Sequence, residues 1–199
     1  MFWDKVAPVY NLFENIYNGK VNKEMCNKVA SFIDSDDCVL ECACGAGMIS
    51  MVIAQKAKTL IATDYSKSML NQTKKNCSKY SNVKFESSNI MDLKYESNSF
   101  DKVVAGNVIH LLDEPYEAIE ELLRVCKIGG KVIIPTYVNN KEKSSRAVKM
   151  WHKLGAGFKK QFTYEEYKEF FKKGNYNPQF CIIPGRMPSA IAVIEKDKQ

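Results

Sequence analysis

Short apolar runs alternate with longer amphipathic stretches along most of the 199-residue chain. The short runs have the length of buried strands, whereas the longer stretches repeat their apolar residues at helical spacing. The pattern predicts strands at 38–40, 59–63, 83–87, 101–108 and 131–137. It predicts helices at 20–33, 48–58, 66–79, from 113 to the glycine pair 129–130, at 143–154 and at 163–173. Such alternation predicts a parallel sheet that carries helices on both faces.

Two further apolar runs, 180–183 and 190–195, close the chain. The link between them is shorter than the crossover of about a dozen residues that parallel strands need. We therefore expect an antiparallel hairpin, which brings the sheet to seven strands. Upstream of the hairpin, Thr163 and Glu166 have the spacing of a capping box, which predicts the start of the last helix.

The first strand leads into an acid and a glycine loop, Glu41 to Gly47. Gly45 and Gly47 lack the Cβ atoms that would keep a ligand off the backbone, and the next helix begins with free N–H groups. Asp64 ends the second strand, roughly 20 residues past the loop, where an acid can accept both ribose hydroxyls. The combination predicts a nucleotide-binding turn; a purely structural strand-to-helix turn is the alternative.

Length and hydrophobic content, 199 residues and 45%, suit one globular domain. The N-terminus lacks the pattern of a signal peptide, and no apolar stretch reaches the ~20 residues that span a bilayer. Seven cysteines, an odd number without a CxxC pair, predict a reducing, cytoplasmic setting. Cys42 and Cys44 have no histidine nearby, so we expect them to pack as small apolar side chains and predict no metal site.

The net charge of +6 is spread over lysine pairs on predicted helices. Such pairs, for example Lys74-Lys75 and Lys172-Lys173, are typical of solvated helix faces. Because they form no single basic stripe, the charge argues against nucleic acid as the partner.

Residues 41–47, 88–93, 99–101 and 127–130, together with Asp64, form several motifs. Together they resemble those of the class I S-adenosylmethionine-dependent methyltransferases, over residues 36–196. Residues 41–47 are similar to that family's acid-x-Gly-x-Gly-x-Gly motif, and Asp64 lies where its ribose-binding acid falls. Residues 88–93 resemble its Gly-Asp-Ala-x-Asp-Leu segment. Residues 99–101 and 127–130 resemble its Ser-Phe-Asp and Lys-Pro-Gly-Gly segments.

Ala43 and Ile128 depart from the family pattern, which has glycine and proline at those places, but neither departure removes a required group. Residues 7–11 are also similar to the Ala-x-x-Tyr-Asp of small-molecule branches, which include quinone-ring methyltransferases.

The resemblance implies a Rossmann-like, doubly wound, seven-stranded and mostly parallel sheet with an antiparallel last strand. It implies S-adenosylmethionine as cofactor and S-adenosylhomocysteine as product. Glu41 would orient the ammonium group, Asp64 would hold the ribose, and Asn89 would bind the adenine amino group. The residues expected at the cofactor are Glu41, Cys42, Ala43, Gly45, Gly47, Asp64, Tyr65, Met69, Asn89, Ile90, Asn107 and Val108.

Two residues are candidates for catalysis in an in-line methyl transfer to an oxygen, nitrogen or carbon atom of a small molecule. His110 follows strand four, where imidazole could take a proton from the acceptor. Tyr10 could close over the sulfonium, whose charge is attracted to aromatic faces, and Trp3 is a weaker candidate for the same role. Packing is the alternative role for all three residues.

The expected single domain, 1–199, divides into three parts. Residues 1–35 would form a helical lid, 36–137 the cofactor-binding core, and 138–199 the acceptor-side helices and closing hairpin. Candidates for the acceptor wall are Met150, Trp151, Phe158, Phe162 and Arg186. We expect a monomer or homodimer with no membrane partner.

Three alternatives stay open. A dehydrogenase shares the glycine turn but needs a third glycine where Ser50 stands. An RNA or protein methyltransferase is the second, although enzymes that methylate base or glutamine amides commonly carry Asn-Pro-Pro-Tyr where this chain has residues 107–110. The third is a catalytically silent module that binds the cofactor and regulates a partner.

Overall fold

One seven-stranded sheet organises the computed structural model of the protein, which describes residues 18–139 and 161–197. The strands are β1 Cys38–Cys42, β2 Thr59–Asp64, β3 Val83–Ser87, β4 Phe100–Ala105, β5 Cys126–Tyr137, β6 Gln179–Ile183 and β7 Ser189–Glu195. Their order is β3-β2-β1-β4-β5-β7-β6. Strands β1 to β5 are parallel to their neighbours among them, whereas β7 runs antiparallel to both β5 and β6. The predicted sheet and its closing hairpin are confirmed.

Five α-helices surround the sheet in the described part of the chain. They are α1 at 18–30, α2 Met48–Ala54, α3 Lys67–Asn76, α4 Pro115–Val125 and α5 Tyr164–Lys173. A 3₁₀ turn, Ile109–Leu111, precedes α4.

The central strands send alternate side chains to two apolar layers, as the period of two along a strand requires. Val39 and Val104 pack on one face with residues of α1, α2 and α3. Leu40 and Val103 pack on the other face with residues of α4 and α5. The prediction of helices on both faces is therefore confirmed.

The glycine pair Gly129-Gly130 does not end α4, so this prediction was wrong. The helix stops at Val125, and the glycines lie inside β5. Gly129 has φ +76° and its N–H donates to the Lys196 carbonyl at 2.7 Å. A Cβ at Gly130 would lie 2.6 Å from the Asp101 carbonyl oxygen. The pair thus allows β5 to pass close to β4 where their register shifts.

Besides α4, three helices end earlier than predicted, and the first of them is α1, which ends at residue 30 rather than 33. Helix α2 ends at Ala54 rather than 58, and α3 spans Lys67–Asn76 because Ser66 is its N-cap, with its side chain accepting from the Met69 N–H. Thr163 and Glu166 form the predicted capping box at the start of α5. The predicted helix at 143–154 and the segment 4–17 lie outside the described residues.

The sequence predicts no membrane-spanning segment, and the length and hydrophobicity of the helices bear on this prediction. Within residues 18–139 and 161–197, none is both long and apolar enough to cross a membrane.

Candidate functional site

A cavity of about 460 Å³ opens beyond the carboxyl ends of β1, β2 and β4. In the sheet order, β2 and β3 extend to one side of β1 while β4 and β5 extend to the other. Open α/β sheets bind their ligands at such a switch point. The predicted cofactor residues that line the cavity are Glu41, Ala43, Gly45, Asp64, Tyr65, Met69, Asn89, Ile90, Asn107 and Val108.

Asp64 ties the glycine loop to the end of β2. Its two carboxylate oxygens accept hydrogen bonds from the Gly45 N–H and the Ser66 N–H, each at 2.8 Å. Each oxygen of a carboxylate has two lone pairs, so a ligand hydroxyl can still be accepted. A Cβ placed on Gly45, which has φ +55°, would meet no atom within 4 Å. The loop backbone is therefore directly accessible from the cavity.

Gly47 and Cys42 do not line the cavity, although both were expected at the cofactor. Gly47 has φ +87°, and a Cβ there would lie 2.9 Å from the Thr73 Cγ2 atom of α3. Cys42 is fully buried among apolar residues of the α4 side. Both positions therefore lie behind the cavity wall.

Helix α3 holds the loop through two side chains that sequence reasoning did not assign to the site. The Thr73 hydroxyl donates to the Gly45 carbonyl at 2.6 Å, and the Asn76 amide donates to the Ala46 carbonyl at 2.8 Å. The sequence carries no local signal for these contacts, because each joins residues about 30 positions apart.

Glu41 is a buried carboxyl group in the cavity wall, with 2% of its surface exposed. The Ser50 hydroxyl donates to its Oε2 atom at 2.5 Å. Burial raises the pKa of Glu41 to about 8, and the nearby Asp64 carboxylate acts in the same direction. Among the described lining residues there is no lysine, arginine or histidine. The ionised carboxylate therefore lacks a cationic partner in this wall, which makes the wall a favourable place for a cationic ligand group.

His110 lies in the 3₁₀ turn and is 9% exposed. Its neighbours Val108, Leu111 and Leu112 line the cavity, but His110 is not part of the lining that the described residues form. Burial lowers its pKa to about 4, so the imidazole is neutral at neutral pH. Tyr10 and Trp3 lie outside the described residues.

Asn107 fixes the end of β4 against β5. It adopts φ +54°, its N–H donates to the Pro135 carbonyl at 2.8 Å, and its Oδ1 atom accepts from the Tyr137 N–H at 2.9 Å. Asparagine tolerates this left-handed conformation better than most residues. The backbone beside Val108 is thereby held at the cavity rim.

An apolar part of the wall comes from α2 and the 3₁₀ turn. Its side chains are Met48, Ile49, Met51, Leu111 and Leu112. Sequence reasoning assigned none of them to the site; the spacing of Met48 and Met51, one helical turn apart, was the available signal. The described residues contain no group of three or more side chains that could hold a metal ion.

Comparison with known proteins identifies the family. A model of the methyltransferase domain matches residues 33–175. The chain belongs to this family. A demethylmenaquinone methyltransferase of Oceanobacillus iheyensis is 30% identical over 150 residues, which are 65% of this chain and 61% of that protein. A 2-phytyl-1,4-naphtoquinone methyltransferase of Trichormus variabilis is 24% identical over 159 residues, 75% of this chain and 69% of that protein. The chain thus spans about three fifths of the Oceanobacillus relative.

Solved structures share the fold. A candidate S-adenosyl-L-methionine-dependent methyltransferase of Methanococcus maripaludis superposes with a TM-score of 0.74 at 20% identity, over 100% of this chain and 95% of that one. The [4+2]-cyclase SpnF superposes with a TM-score of 0.72 at 18% identity, over 88% of this chain and 81% of that one. At these identities the likeness shows the fold alone.

Proposed function

We propose that this protein transfers a methyl group from S-adenosylmethionine to a small-molecule acceptor and releases S-adenosylhomocysteine. One observation carries the proposal: the buried Glu41 carboxyl, the open Gly45 backbone and the Asp64 carboxylate line a single cavity at the switch point of the sheet.

The residues fit this cofactor. Glu41 offers a carboxylate without a cationic partner in the described wall, which suits the ammonium group of the methionine part. The absence of a Cβ at Gly45 leaves room for a ligand chain against the backbone. Asp64 would accept the ribose hydroxyls, and Asn89 with Ile90 would border the adenine. When bound, S-adenosylmethionine supplies an electrophilic methyl group on its sulfonium.

The chain's own part in the reaction is binding, orientation and exclusion of water. Asn107, held between β4 and β5, would border the reacting end of the cavity. The apolar side chains Met51, Leu111 and Leu112 would keep water from that end. Positioning reactants in a dry site can account for most of the rate of an in-line transfer.

His110 and Tyr10 stay proposed catalytic residues. A neutral His110 can accept a proton at neutral pH, and its lowered pKa restricts it to acceptors that give up a proton readily. A His110→Ala variant with an unchanged rate would end the claim for His110. Turnover of a Tyr10→Phe variant should fall more than its cofactor affinity, and unchanged turnover would end the claim for Tyr10.

For the acceptor we propose a quinone-type ring. The two relatives named above are, by their names, methyltransferases that act on quinones. The apolar wall of α2 and the 3₁₀ turn supports an acceptor of this kind. The cytoplasmic setting and the state of monomer or homodimer remain predictions.

The test is transfer of label from methyl-labelled S-adenosylmethionine into a cell lysate that is then separated into small-molecule, RNA and protein fractions. Glu41→Gln, which keeps the shape of the side chain, is the control. We expect label in the organic extract, in a compound with the absorption of a quinone. Label in RNA or protein would overturn the acceptor class, and no label above the control would favour the regulatory module.

A further inference from the structure

We infer that Ser50 is a positioning residue for the cofactor, acting through Glu41. Its hydroxyl orients the Glu41 Oε2 atom and favours the ionised form of the carboxyl group, which is the form that pairs with an ammonium group. The inference rests on the proposed function and adds to it a residue that lies behind the cavity wall.

The position of Ser50 is otherwise unfavourable for a polar side chain. It lies on the buried face of α2 with Ile49, Ile53 and Ala54, and none of its surface is exposed. A hydroxyl in such a place destabilises the fold unless it makes a hydrogen bond. Its bond is to Glu41 Oε2. The hydrogen bond to the carboxyl group therefore explains the serine at this position, whereas the packing of the helix does not.

The groups around Glu41 favour its neutral form. Desolvation acts first, and the Asp64 carboxylate on β2 adds repulsion. Four thiols also lie near Glu41, and they carry no charge near neutral pH because burial raises the pKa of each one: Cys42 on β1, Cys44 in the loop, Cys26 on α1 and Cys77 at the end of α3. The Ser50 hydroxyl opposes these effects and lowers the pKa of Glu41, and it is the side-chain donor to Glu41 among the described residues.

The consequence is a link between protonation and binding. A neutral Glu41 cannot pair with an ammonium group, so the ligand must displace its proton at pH values below the Glu41 pKa. Without the Ser50 hydroxyl, more of the carboxyl is neutral at a given pH. The binding profile against pH should therefore move to higher pH when the hydroxyl is removed.

The experiment measures binding by calorimetry between about pH 6 and pH 9, with two ligands. S-adenosylhomocysteine carries the ammonium group, whereas 5′-methylthioadenosine lacks the amino-acid part. The proteins are wild type, Ser50→Ala and Ser189→Ala. Ser189 is a matched control because it is fully buried on β7, its hydroxyl bonds to no described residue, and it does not line the cavity.

We expect Ser50→Ala to bind S-adenosylhomocysteine about tenfold more weakly at pH 7, with its profile displaced upward by about one pH unit, because hydrogen bonds to charged groups have roughly this strength. Affinity for 5′-methylthioadenosine should be unchanged in all three proteins. Ser189→Ala should match wild type with both ligands. Ser50→Cys, which keeps the volume but is a weak donor, should shift in the same direction and serves if the alanine variant does not fold.

Four outcomes would overturn the inference. An unchanged profile for Ser50→Ala would show that the hydroxyl does not act on ligand binding. An equal loss for both ligands would show that Ser50 supports only the fold of the loop. If wild type binds 5′-methylthioadenosine but not S-adenosylhomocysteine, the ammonium site fails. If it binds neither ligand, the proposed function fails with it.

Discussion

At the scale of single residues, a buried carboxyl group makes the stability of this protein depend on pH. Glu41 has a pKa of about 8 in the folded chain, against an ordinary value of 4.5. Between these values the folded state holds a proton that the unfolded state has lost. Stability is therefore highest at the acid end of this window and falls as pH rises towards 8.

The first prediction follows from that sign. Replacing Glu41→Gln should flatten the fall in unfolding free energy between about pH 5 and pH 8, because the neutral amide does not titrate. Urea denaturation at the two pH values measures this change in unfolding free energy. Glu117→Gln, on the exposed face of α4, should leave the slope of wild type unchanged. A wild-type slope in Glu41→Gln would contradict the assignment.

Asp101 makes the stability depend on pH in the opposite direction to Glu41. Burial alone would raise the pKa of Asp101. Its carboxylate accepts hydrogen bonds from Lys127 at 2.7 Å and from the Cys38 N–H at 2.9 Å, and these bonds together with the positive charges of Lys127 and Lys102 lower the pKa overall. Its stabilising effect is present above the ordinary aspartate range and is lost as pH falls through the lowered pKa.

The second prediction concerns acid unfolding. Asp101→Asn should be less stable than wild type at neutral pH, and the difference should shrink as the pH falls below about 4, the ordinary range of aspartate. Thermal unfolding along an acid series measures this. A difference that stays constant down to the acid limit would show that only the packing of Asp101 matters.

At the scale of elements, short local signals set where helices begin, while contacts between elements set how the glycine loop lies. The N-cap of α2 is Gly47, whose φ of +87° and closeness to Thr73 leave no room for a side chain. The N-cap of α5 is Thr163, which works through its own capping box.

The third prediction tests the first of these caps. Gly47→Ala should destabilise the protein by roughly 1–3 kcal/mol, from left-handed strain and the close contact with α3. Gly19→Ala is the control: it lies in α1, and a Cβ there meets no atom within 4 Å. It should be neutral or stabilising by up to about 1 kcal/mol. Equal effects in urea denaturation would refute the steric account.

The fourth prediction tests the capping box. Thr163→Ala should lower the unfolding free energy by about 1 kcal/mol, because the Glu166 N–H loses its acceptor. Thr163→Ser keeps the hydroxyl and should stay within a few tenths of wild type. An alanine variant as stable as the serine variant would mean that the packing of Tyr167 and Phe171 alone determines the start of α5.

At the scale of the whole molecule, the cavity joins the ends of three strands with α2 and the 3₁₀ turn. A ligand that fills it binds the folded chain and not the unfolded one. Such a ligand stabilises the folded state by about 2.7 kcal/mol when its free concentration is a hundred times its Kd.

The fifth prediction is a thermal shift. S-adenosylhomocysteine at a hundred times its Kd should raise the Tm by about 5–10 °C in a chain of this size. At the same ligand concentration the shift should be smaller in Glu41→Gln, which cannot pair with the ammonium group. The same shift in both proteins would show that Glu41 does not pair with the ammonium group of the ligand.

The candidate site was largely predictable because its parts follow strands. Glu41, Asp64 and Asn107 stand at or just past strand ends, and parallel strands bring such positions to one edge. Thr73, Asn76 and Met51 were not predictable in the same way. They reach the loop and the cavity from helix faces whose rotation is set by packing.

The sequence by itself determined the elements, their alternation and the closing hairpin, because apolar period, loop length and capping residues act over a few neighbouring residues. Only the tertiary structure decided that Gly129-Gly130 belong to β5, that Gly47 packs on Thr73 and that Ser50 meets Glu41. Each of these depends on which residues, distant in the chain, come into contact when the two apolar faces of the sheet are covered.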